Sequence, residues 1–325
     1  MTSTKSGLYN KTYKAASDML KVLSNKNENK ALILRLATYF LLLSFSFVFL
    51  YPYLVMFVTS LKTYTDLNDI TVNWIPRKLK VENYLIAFRA LDYMKYLKNT
   101  LIIVVFATIG HLFSCSFIGY GFARYEFPGK KILFTFVIIA LIVPVQTIIV
   151  PLYMLYSNLG WISTYLPMIV PTFFGYGLKG ALFIFILRQF YLGFPKEMEE
   201  SATIDGCGFF RTYWYIVLPI ARSAFLVTFV LSIVWHWNDF YEPSIYLQNP
   251  EMLLLPSKIS GIIDMVNDPP VEIFLAMGIP LEEMVINNAV LMASIMLVIL
   301  PLIISFAFLQ RKFIQGIERT GLAGD

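Results

Sequence analysis

Charged residues are scarce in this chain of 325 residues: Lys, Arg, Asp and Glu make up 14% of it, whereas soluble domains carry roughly 25%. Hydrophobic residues reach 58%, and the mean hydropathy is +0.66. These values exclude a soluble domain and indicate a polytopic membrane protein. The net charge of +5 therefore indicates lysines and arginines that hold loops on the cytoplasmic side, rather than nucleic-acid binding.

Residues that carry chemistry are also few. The two cysteines, Cys115 and Cys207, exclude a disulfide framework, and no spacing typical of metal ligands appears. Both histidines lie in apolar runs, and His111 is expected to pack against another helix rather than to serve as a proton or ligand site. The phosphate-binding motif G-x-x-x-x-G-K-[ST] is absent, so the chain cannot hydrolyse ATP itself. We predict a chain that is not an enzyme and binds no metal.

Long uncharged runs predict an all-α polytopic membrane protein with six transmembrane helices. Polar, basic segments flank this domain of 36–310: the N-terminal segment 1–35, of which 1–30 is either an amphipathic helix on the inner leaflet or a disordered tail, and the C-terminal tail 311–325. The polar start also predicts no cleavable signal peptide. Bases are more frequent in the segments predicted inside, which places both termini in the cytoplasm. The predicted spans are about 36–61, 99–123, 132–156, 162–187, 223–247 and 284–310.

The third and fourth predicted spans are interrupted by prolines. Pro144, Pro151, Pro167 and Pro171 predict kinks near the outer ends. Irregular backbone at membrane depth is tolerated only where protein or a water-filled cavity covers it, so this part is a candidate wall of a pathway. Lys179 is the one charge inside the fourth span. Its side chain faces the protein interior, pairs with another group or extends to the membrane interface, and the sequence leaves these alternatives open.

The longest polar interruption in the second half of the chain falls within the predicted inner loop 191–222. An acidic first turn after Pro195 predicts a helix over 196–204, and Gly206 and Gly208 predict a bend. A second helical pattern follows, with Phe209, Tyr213 and Ile216 on one face. We therefore expect a helix, a glycine bend and a helix between two spans.

The spacing of Glu200, Ala202, Gly206, Ile216 and Leu218-Pro219 resembles the E-A-A, G and I-x-L-P pattern of ABC importer permeases. Ser201 departs from the usual alanine, but it is also small. The resemblance implies the type I ABC importer fold and a cytoplasmic coupling helix that docks into a cleft on a separate ATPase subunit. The residues so implicated are Glu199, Glu200, Ser201, Ala202, Asp205, Gly206, Ile216, Leu218 and Pro219.

Other segments resemble the carbohydrate, maltose-type branch of these permeases: W-I-P and E-N-Y in the first outer loop, W-N-D-F in the fifth span, a leucine-proline patch in the acidic outer loop 248–283, and Q-R-x-F-x-x-G in the tail. In maltose-type relatives, a loop at that position reaches into the binding protein. Whether the loop of this chain does so is left open. The polar groups Trp237, Asn238, Asp239 and Glu242 line the outer pathway or gate, or Asp239 only caps a helix end. The resemblance implies tail contacts to the ATPase by Gln310, Arg311, Phe313, Gln315 and Gly316, where the plainer alternative is a stop-transfer anchor.

The resemblance implies one subunit of an ATP-driven, binding-protein-dependent importer of a sugar or oligosaccharide in the bacterial inner membrane. Its implied partners are a second homologous permease, an ATPase dimer, an extracytoplasmic solute-binding protein and the lipid bilayer, with no nucleic acid. ATP and Mg would be bound by the ATPase subunits and no cofactor by this chain. The alternatives are an ABC importer for another solute and an ion-coupled secondary transporter that works alone, which should show intramembrane acids or an internal repeat.

Overall fold

The structure, a computed structural model, describes residues 34–268 and 286–321, with side chains as far as Gln310. The predictions on residues 1–33, on 269–285 of the predicted outer loop and on 322–325 lie outside the described residues. The chain divides into two units, Met1–Val58 and Thr59–Asp325, and most of α1 belongs to the first. The helices are α1 Leu34–Ser60, α2 Tyr64–Asn68, α3 Glu82–Ala90, α4 Tyr93–Arg124, α5 Lys130–Ile142, α6 Val145–Asn158, α7 Leu166–Ile169, α8 Gly180–Leu192, α9 Glu197–Ile204, α10 Phe209–Thr212, α11 Leu218–Ile220, α12 Arg222–Asn238, α13 Tyr241–Tyr246, α14 Lys258–Asn267 and α15 Asn288–Gly321.

Three of the described helices are long and apolar enough to cross a membrane: α1, α4 and the Asn288–Gln310 part of α15. Two bent pairs, α5 with α6 and Phe209–Ile220 with α12, raise the number to as many as five if each pair is one span. Helix α8 is apolar but shorter. The all-α membrane fold is confirmed, whereas the count of six spans stays a prediction.

The segment predicted as one span at 132–156 is two helices that meet at an angle of 104°. The break lies at Val143 and Pro144, both in extended conformation. Proline favours this break because the residue before it is pushed out of the helical region and its ring nitrogen cannot donate a hydrogen bond. Pro151, by contrast, lies inside α6.

The segment predicted as a span at 162–187 is also interrupted. A 3-10 helix, Val170–Phe174, follows α7, and the chain then passes through positive φ angles at Gly175, Gly177 and Lys179 before α8 begins. Lys179 has φ 64° without being glycine, a conformation that costs about 1–2 kcal/mol. Its ammonium lies 4.4 Å from the centroid of the Trp235 ring.

The fifth and sixth predicted spans differ from the structure at their ends. Helix α12 ends at Asn238, and the short α13 follows after a change of direction, so 223–247 is not one helix. The last helix continues to Gly321, beyond the predicted end at 310. The sequence favours a separate tail because basic residues end the apolar run there, but charged residues do not stop a helix.

One hydrophobic cluster is centred on the close contact between helices α4 and α8. A Cβ on Gly119 of α4 would lie 3.1 Å from the backbone nitrogen of Arg188, so the glycine permits this approach. Tyr191 of α8 and Tyr213 are buried in the same cluster. A second cluster joins the N-terminal half of α4 to α12, α14 and α15. Helix α4 thus belongs to the core at both of its ends.

Candidate coupling surface

The predicted coupling helix forms as α9, Glu197–Ile204, directly after Pro195 and Lys196. Its first turn carries three acids, Glu197, Glu199 and Glu200. Acidic residues stabilise this end because the unpaired backbone N–H groups give it partial positive charge. The local sequence therefore explains both the position and the start of the helix.

The bend after α9 is a Schellman cap. The N–H of Cys207 donates to the carbonyl of Ala202 at 2.9 Å, and the N–H of Gly206 donates to that of Thr203 at 3.0 Å. Such a cap needs a left-handed residue at its centre, and Gly206 has φ 78°. A Cβ here would meet nothing within 4 Å, so glycine is required by conformation and not by space.

The carboxylate of Glu199 points into the fold. Its Oε1 lies 2.7 Å from Nε of Arg124, the last residue of α4, and its Oε2 accepts a hydrogen bond of 2.9 Å from the Tyr120 hydroxyl. The two charged side chains are only 5% and 16% exposed. Sequence patterns had not indicated Tyr120 or Arg124, because their role depends on a contact between distant parts of the chain.

The other implicated residues of α9 divide between surface and interior. Glu200, Ser201, Asp205 and Gly206 are exposed, and the Ser201 hydroxyl donates to the carbonyl of Glu197 at 2.8 Å. Ala202 is buried. A partner approaching this side of α9 would therefore meet Glu200 and Asp205, while Ala202 holds the helix against its own chain.

The turn before α5 adds charge beside α9. The Lys130 ammonium donates to Glu126 at 2.8 Å, and this bond holds the pKa of the Glu126 carboxyl below its ordinary value. Lys196, just before α9, adds to this lowering. The surface around α9 is thus of mixed charge.

The second half of the segment runs through α10, a π-helical turn at Tyr213–Val217 and α11. The Tyr213 hydroxyl lies 2.5 Å from the Ser116 hydroxyl of α4, which also lies 2.6 Å from the Tyr191 hydroxyl. This polar contact fixes the π turn against α4 and α8. The implicated Ile216, Leu218 and Pro219 are half-buried.

Large apolar side chains around the bend remain exposed. Ile204 is 86% exposed and Phe210 67% exposed. The sequence interpretation passed over both, because an apolar residue in a short helix is usually assigned to the core. Together with the exposed Glu200 and Asp205 they suit a protein interface. We call Glu200, Ser201, Ile204, Asp205 and Phe210 the coupling surface, after the role that the sequence predicts for this segment.

The predicted outer-pathway residues do not share one environment. Trp237 is buried and its indole N–H donates to the carbonyl of Val298 in α15 at 3.2 Å. Asn238 is exposed and donates to Val234 in its own helix at 2.8 Å. Oδ1 of Asp239 accepts from the N–H groups of Tyr241 and Glu242 at 3.0 and 3.3 Å, and so caps α13. A pathway role for these residues stays a prediction.

Asp239 and Glu242 lie beside a small, partly open cavity. It measures about 10 Å³, close to the room needed by one water molecule, and His236 also lines it. The ring of His236 lies 5.2 Å from that of His111. Within the described residues, no cluster of His, Cys, Asp and Glu suited to a metal ion occurs.

The tail residues predicted to contact an ATPase lie on the last helix. Gln310 is exposed, and Arg311, Phe313, Gln315 and Gly316 belong to the part of α15 whose side chains lie outside the described residues. Their role stays a prediction.

Residues 115–319 match the family described as the binding-protein-dependent transport system inner membrane component. The chain belongs to this family. It is therefore an inner-membrane transport component and not an enzyme. The match includes α9, the coupling surface and most of α15, which agrees with the resemblance found in the sequence.

Permeases of this family are among the curated proteins similar to the chain. It is 30% identical over 295 residues to the arabinooligosaccharides transport system permease protein AraQ of Bacillus subtilis (strain 168), with 90% of this chain and 97% of AraQ covered. It is 27% identical over 278 residues to the probable starch degradation products transport system permease protein AmyC of Thermoanaerobacterium thermosulfurigenes, with 86% and 93% covered.

A solved structure shares the fold. The crystal structure of a bacterial ABC transporter involved in the import of the acidic polysaccharide alginate matches 86% of this chain and 96% of its own chain, with a TM-score of 0.72 and 19% identity. At this identity the likeness shows the fold alone, which is that of an ABC importer permease.

Proposed function

We propose that the chain is one of two transmembrane subunits of an ATP-driven importer that takes up a sugar or oligosaccharide delivered by a solute-binding protein. The observation that carries this proposal is α9. It presents Glu200 and Asp205 beside exposed Ile204, while Glu199 faces Arg124 inside the fold. Surface acids and apolar groups on a rigid, capped helix suit docking to a separate protein.

The mechanism follows from an ATPase that grips the coupling surface. Closure of two ATPase subunits on ATP would draw α9 with it, and the membrane helices would rock from inward-open to outward-open against a docked binding protein. Hydrolysis would reset them. This is alternating access by rigid-body motion. The Schellman cap at Gly206 keeps α9 at a fixed angle to α10, so that the segment moves as a unit.

The proposed solute class is supported by the relatives. The names of AraQ and AmyC refer to arabinooligosaccharides and to starch degradation products, and that of LacG of Rhizobium radiobacter, 25% identical over 218 residues, to lactose. GgtD of Synechocystis, 28% identical over 302 residues, is named for osmoprotective compounds, which is why a solute other than a sugar belongs among the test substrates.

The transport test is uptake by proteoliposomes that contain this chain, its second permease and its ATPase, with the binding protein added. Arabino-oligosaccharides, starch-derived oligosaccharides and lactose are compared with an osmoprotective solute. We expect uptake of a carbohydrate only with ATP and with every partner. Uptake by this chain alone would overturn the proposal, and selective uptake of the osmoprotective solute would replace the substrate class.

The orientation has a separate test that uses the natural cysteines. Cys207 beside the coupling surface is half-exposed, whereas Cys115 is buried. With α9 in the cytoplasm, a membrane-impermeant maleimide should label Cys207 in inside-out vesicles and not in intact cells, and bound ATPase should protect it. Cys207→Ser gives the background labelling. Labelling of Cys207 from outside would reverse the proposed topology.

A further inference from the structure

Helix α4 contacts α9 at its C-terminal end and the turn at 249–255 near its N-terminal end. At the α9 end, Arg124 makes the ion pair with Glu199 and donates through Nη2 to the carbonyl of Phe194 at 2.7 Å. Tyr120 holds the second oxygen of the same carboxylate. Both oxygens of Glu199 are thus engaged by α4.

This ion pair is shielded from solvent, and that determines what it can do. An exposed pair contributes little and breaks easily. In a buried pair, separation leaves an uncompensated charge on each side, so the two elements that carry it are held in one relative position. Arg124 and Glu199 therefore tie α9 firmly to the end of α4.

The far end of α4 is tied to the turn at 249–255, which holds a short 3-10 helix, Pro250–Met252. The Asn99 amide donates to the carbonyls of Glu251 and Leu253 at 2.9 and 3.1 Å. The N–H of Leu255 donates to the Thr100 hydroxyl at 2.9 Å. Lys95 also forms an ion pair with Glu251.

Between these two ends α4 is continuous. It has 32 residues, which corresponds to a length of about 48 Å, and it contains no proline. Sharp kinks arise almost always at proline, at glycine and serine pairs or at π bulges; α4 carries glycines and serines, among them Ser116 and Gly119, yet it runs as one α-helix from Tyr93 to Arg124. A displacement applied at one end would therefore reach the other with little loss.

We propose that Arg124 and Glu199, supported by Tyr120, are positioning residues that transmit the displacement of α9 through α4 to the turn at 249–255. The proposal rests on the proposed function, since it presupposes that an ATPase moves α9. It assigns to Glu199 a role inside the chain, whereas the sequence interpretation placed it in the ATPase contact. Glu200, one position later and exposed, remains available for that contact.

The test compares the ATP hydrolysed per solute imported in the reconstituted importer. In Glu199→Gln and Arg124→Gln we expect this ratio to rise about fivefold or more, the lower range of coupling between sites. Arg124→Lys keeps the charge but cannot reach both Glu199 and Phe194, so an intermediate rise is expected. Glu197→Gln is the matched control, because Glu197 is an exposed acid in the same turn, and its ratio should stay at the wild-type value.

A second measurement separates transmission from support of the fold. A fluorophore is attached to the cysteine of a Gln248→Cys variant that also carries Cys207→Ser. It reports movement beside the turn at 249–255. ATP should shift its signal in the wild-type importer and not in Glu199→Gln. The double exchange Arg124→Glu with Glu199→Arg should recover part of the shift. Tyr120→Phe removes only one hydrogen bond and should assemble, so it keeps the role testable if the charge variants fail to assemble.

The outcomes are distinct. Assembled Glu199→Gln and Tyr120→Phe importers with the wild-type ratio and the wild-type shift would overturn this role. The role would also be overturned if, in every variant, activity fell only as far as the amount of assembled complex fell. The ion pair would then only stabilise the fold. If wild-type importer shows no ATP-driven uptake, the proposed function itself fails, and the role of the pair fails with it.

Discussion

The hydroxyl of Tyr213 lies 2.5 Å from the hydroxyl of Ser116, although the two residues are 97 positions apart in the chain. Tyr213 lies in the π-helical turn, and its ring also stacks on Phe117 with 4.3 Å between centroids. π-Helical turns occur frequently at functional sites. Here the turn directs Tyr213 onto α4, next to the residues that engage Glu199.

Removing this contact should destabilise the chain in a graded way. Tyr213→Phe deletes one hydroxyl and leaves Ser116 its contact with Tyr191, so we expect a loss of about 1 kcal/mol in the free energy of unfolding. Ser116→Ala takes a partner from two buried tyrosine hydroxyls and should lose more, ~2–3 kcal/mol. Thermal denaturation of the purified complex measures both. Equal losses in the two variants would contradict the arrangement.

Gly206 should be sensitive to any side chain, although space is available. Gly206→Val places a β-branched residue at φ 78°, which costs about 1–2 kcal/mol for the left-handed conformation alone, and should weaken ATPase binding and ATP-driven uptake. Gly206→Asn should retain more of both, since asparagine tolerates this conformation.

Gly208 provides the matched control for Gly206. It also has open space around it, but its φ is −77°, so Gly208→Ala should leave ATPase binding and uptake unchanged. Equal effects of Gly206→Val and Gly208→Ala would show that the bend does not depend on the left-handed glycine.

Trp237 should contribute to stability and not to solute affinity. Trp237→Phe removes the indole hydrogen bond to Val298 while keeping an aromatic ring in the cluster, and should lower the free energy of unfolding by about 1 kcal/mol. The KM for uptake should remain at the wild-type value. A changed KM with normal stability would instead place Trp237 in the pathway, as the sequence prediction holds.

The side chain of Lys179 should be needed for full uptake. Lys179→Gly suits the positive φ and removes the whole side chain, including the ammonium over the Trp235 ring, so any loss of uptake reports the side chain and not the backbone. We expect lower uptake in this variant and near-normal uptake in Lys179→Arg, because guanidinium also stacks on aromatic rings. Normal uptake by Lys179→Gly at normal expression would mean that the lysine merely snorkels to the interface.

The sequence predicted the features that depend on local patterns. Apolar runs located α1, α4 and the last helix, and the acids and Gly206 located α9 and its bend, because hydrophobic periodicity and capping are encoded by neighbouring residues. Pro144 indicated a kink, but the bend of 104° depends on packing that proline alone does not specify.

The sequence pattern could not predict contacts between residues that are distant in the chain. Glu199 and Glu200 are adjacent and chemically alike, and only the location of Arg124 at the end of α4 makes one of them internal. In the same way, the position of Trp237 beside Val298 gives it a packing contact that the W-N-D-F string does not reveal. Tertiary neighbours decide such roles, and they are not encoded within a window of a few residues.

The exposed Ile204 has a consequence for the fate of newly made chains. Ile204, which is 86% open to solvent, and Phe210 add apolar area to the coupling surface, and such a patch promotes aggregation while no other protein covers it. Copies synthesised in excess of the ATPase would display this patch to chaperones and proteases. We therefore expect the cellular amount of the chain to follow that of its partner, and balanced synthesis from neighbouring genes would be favoured.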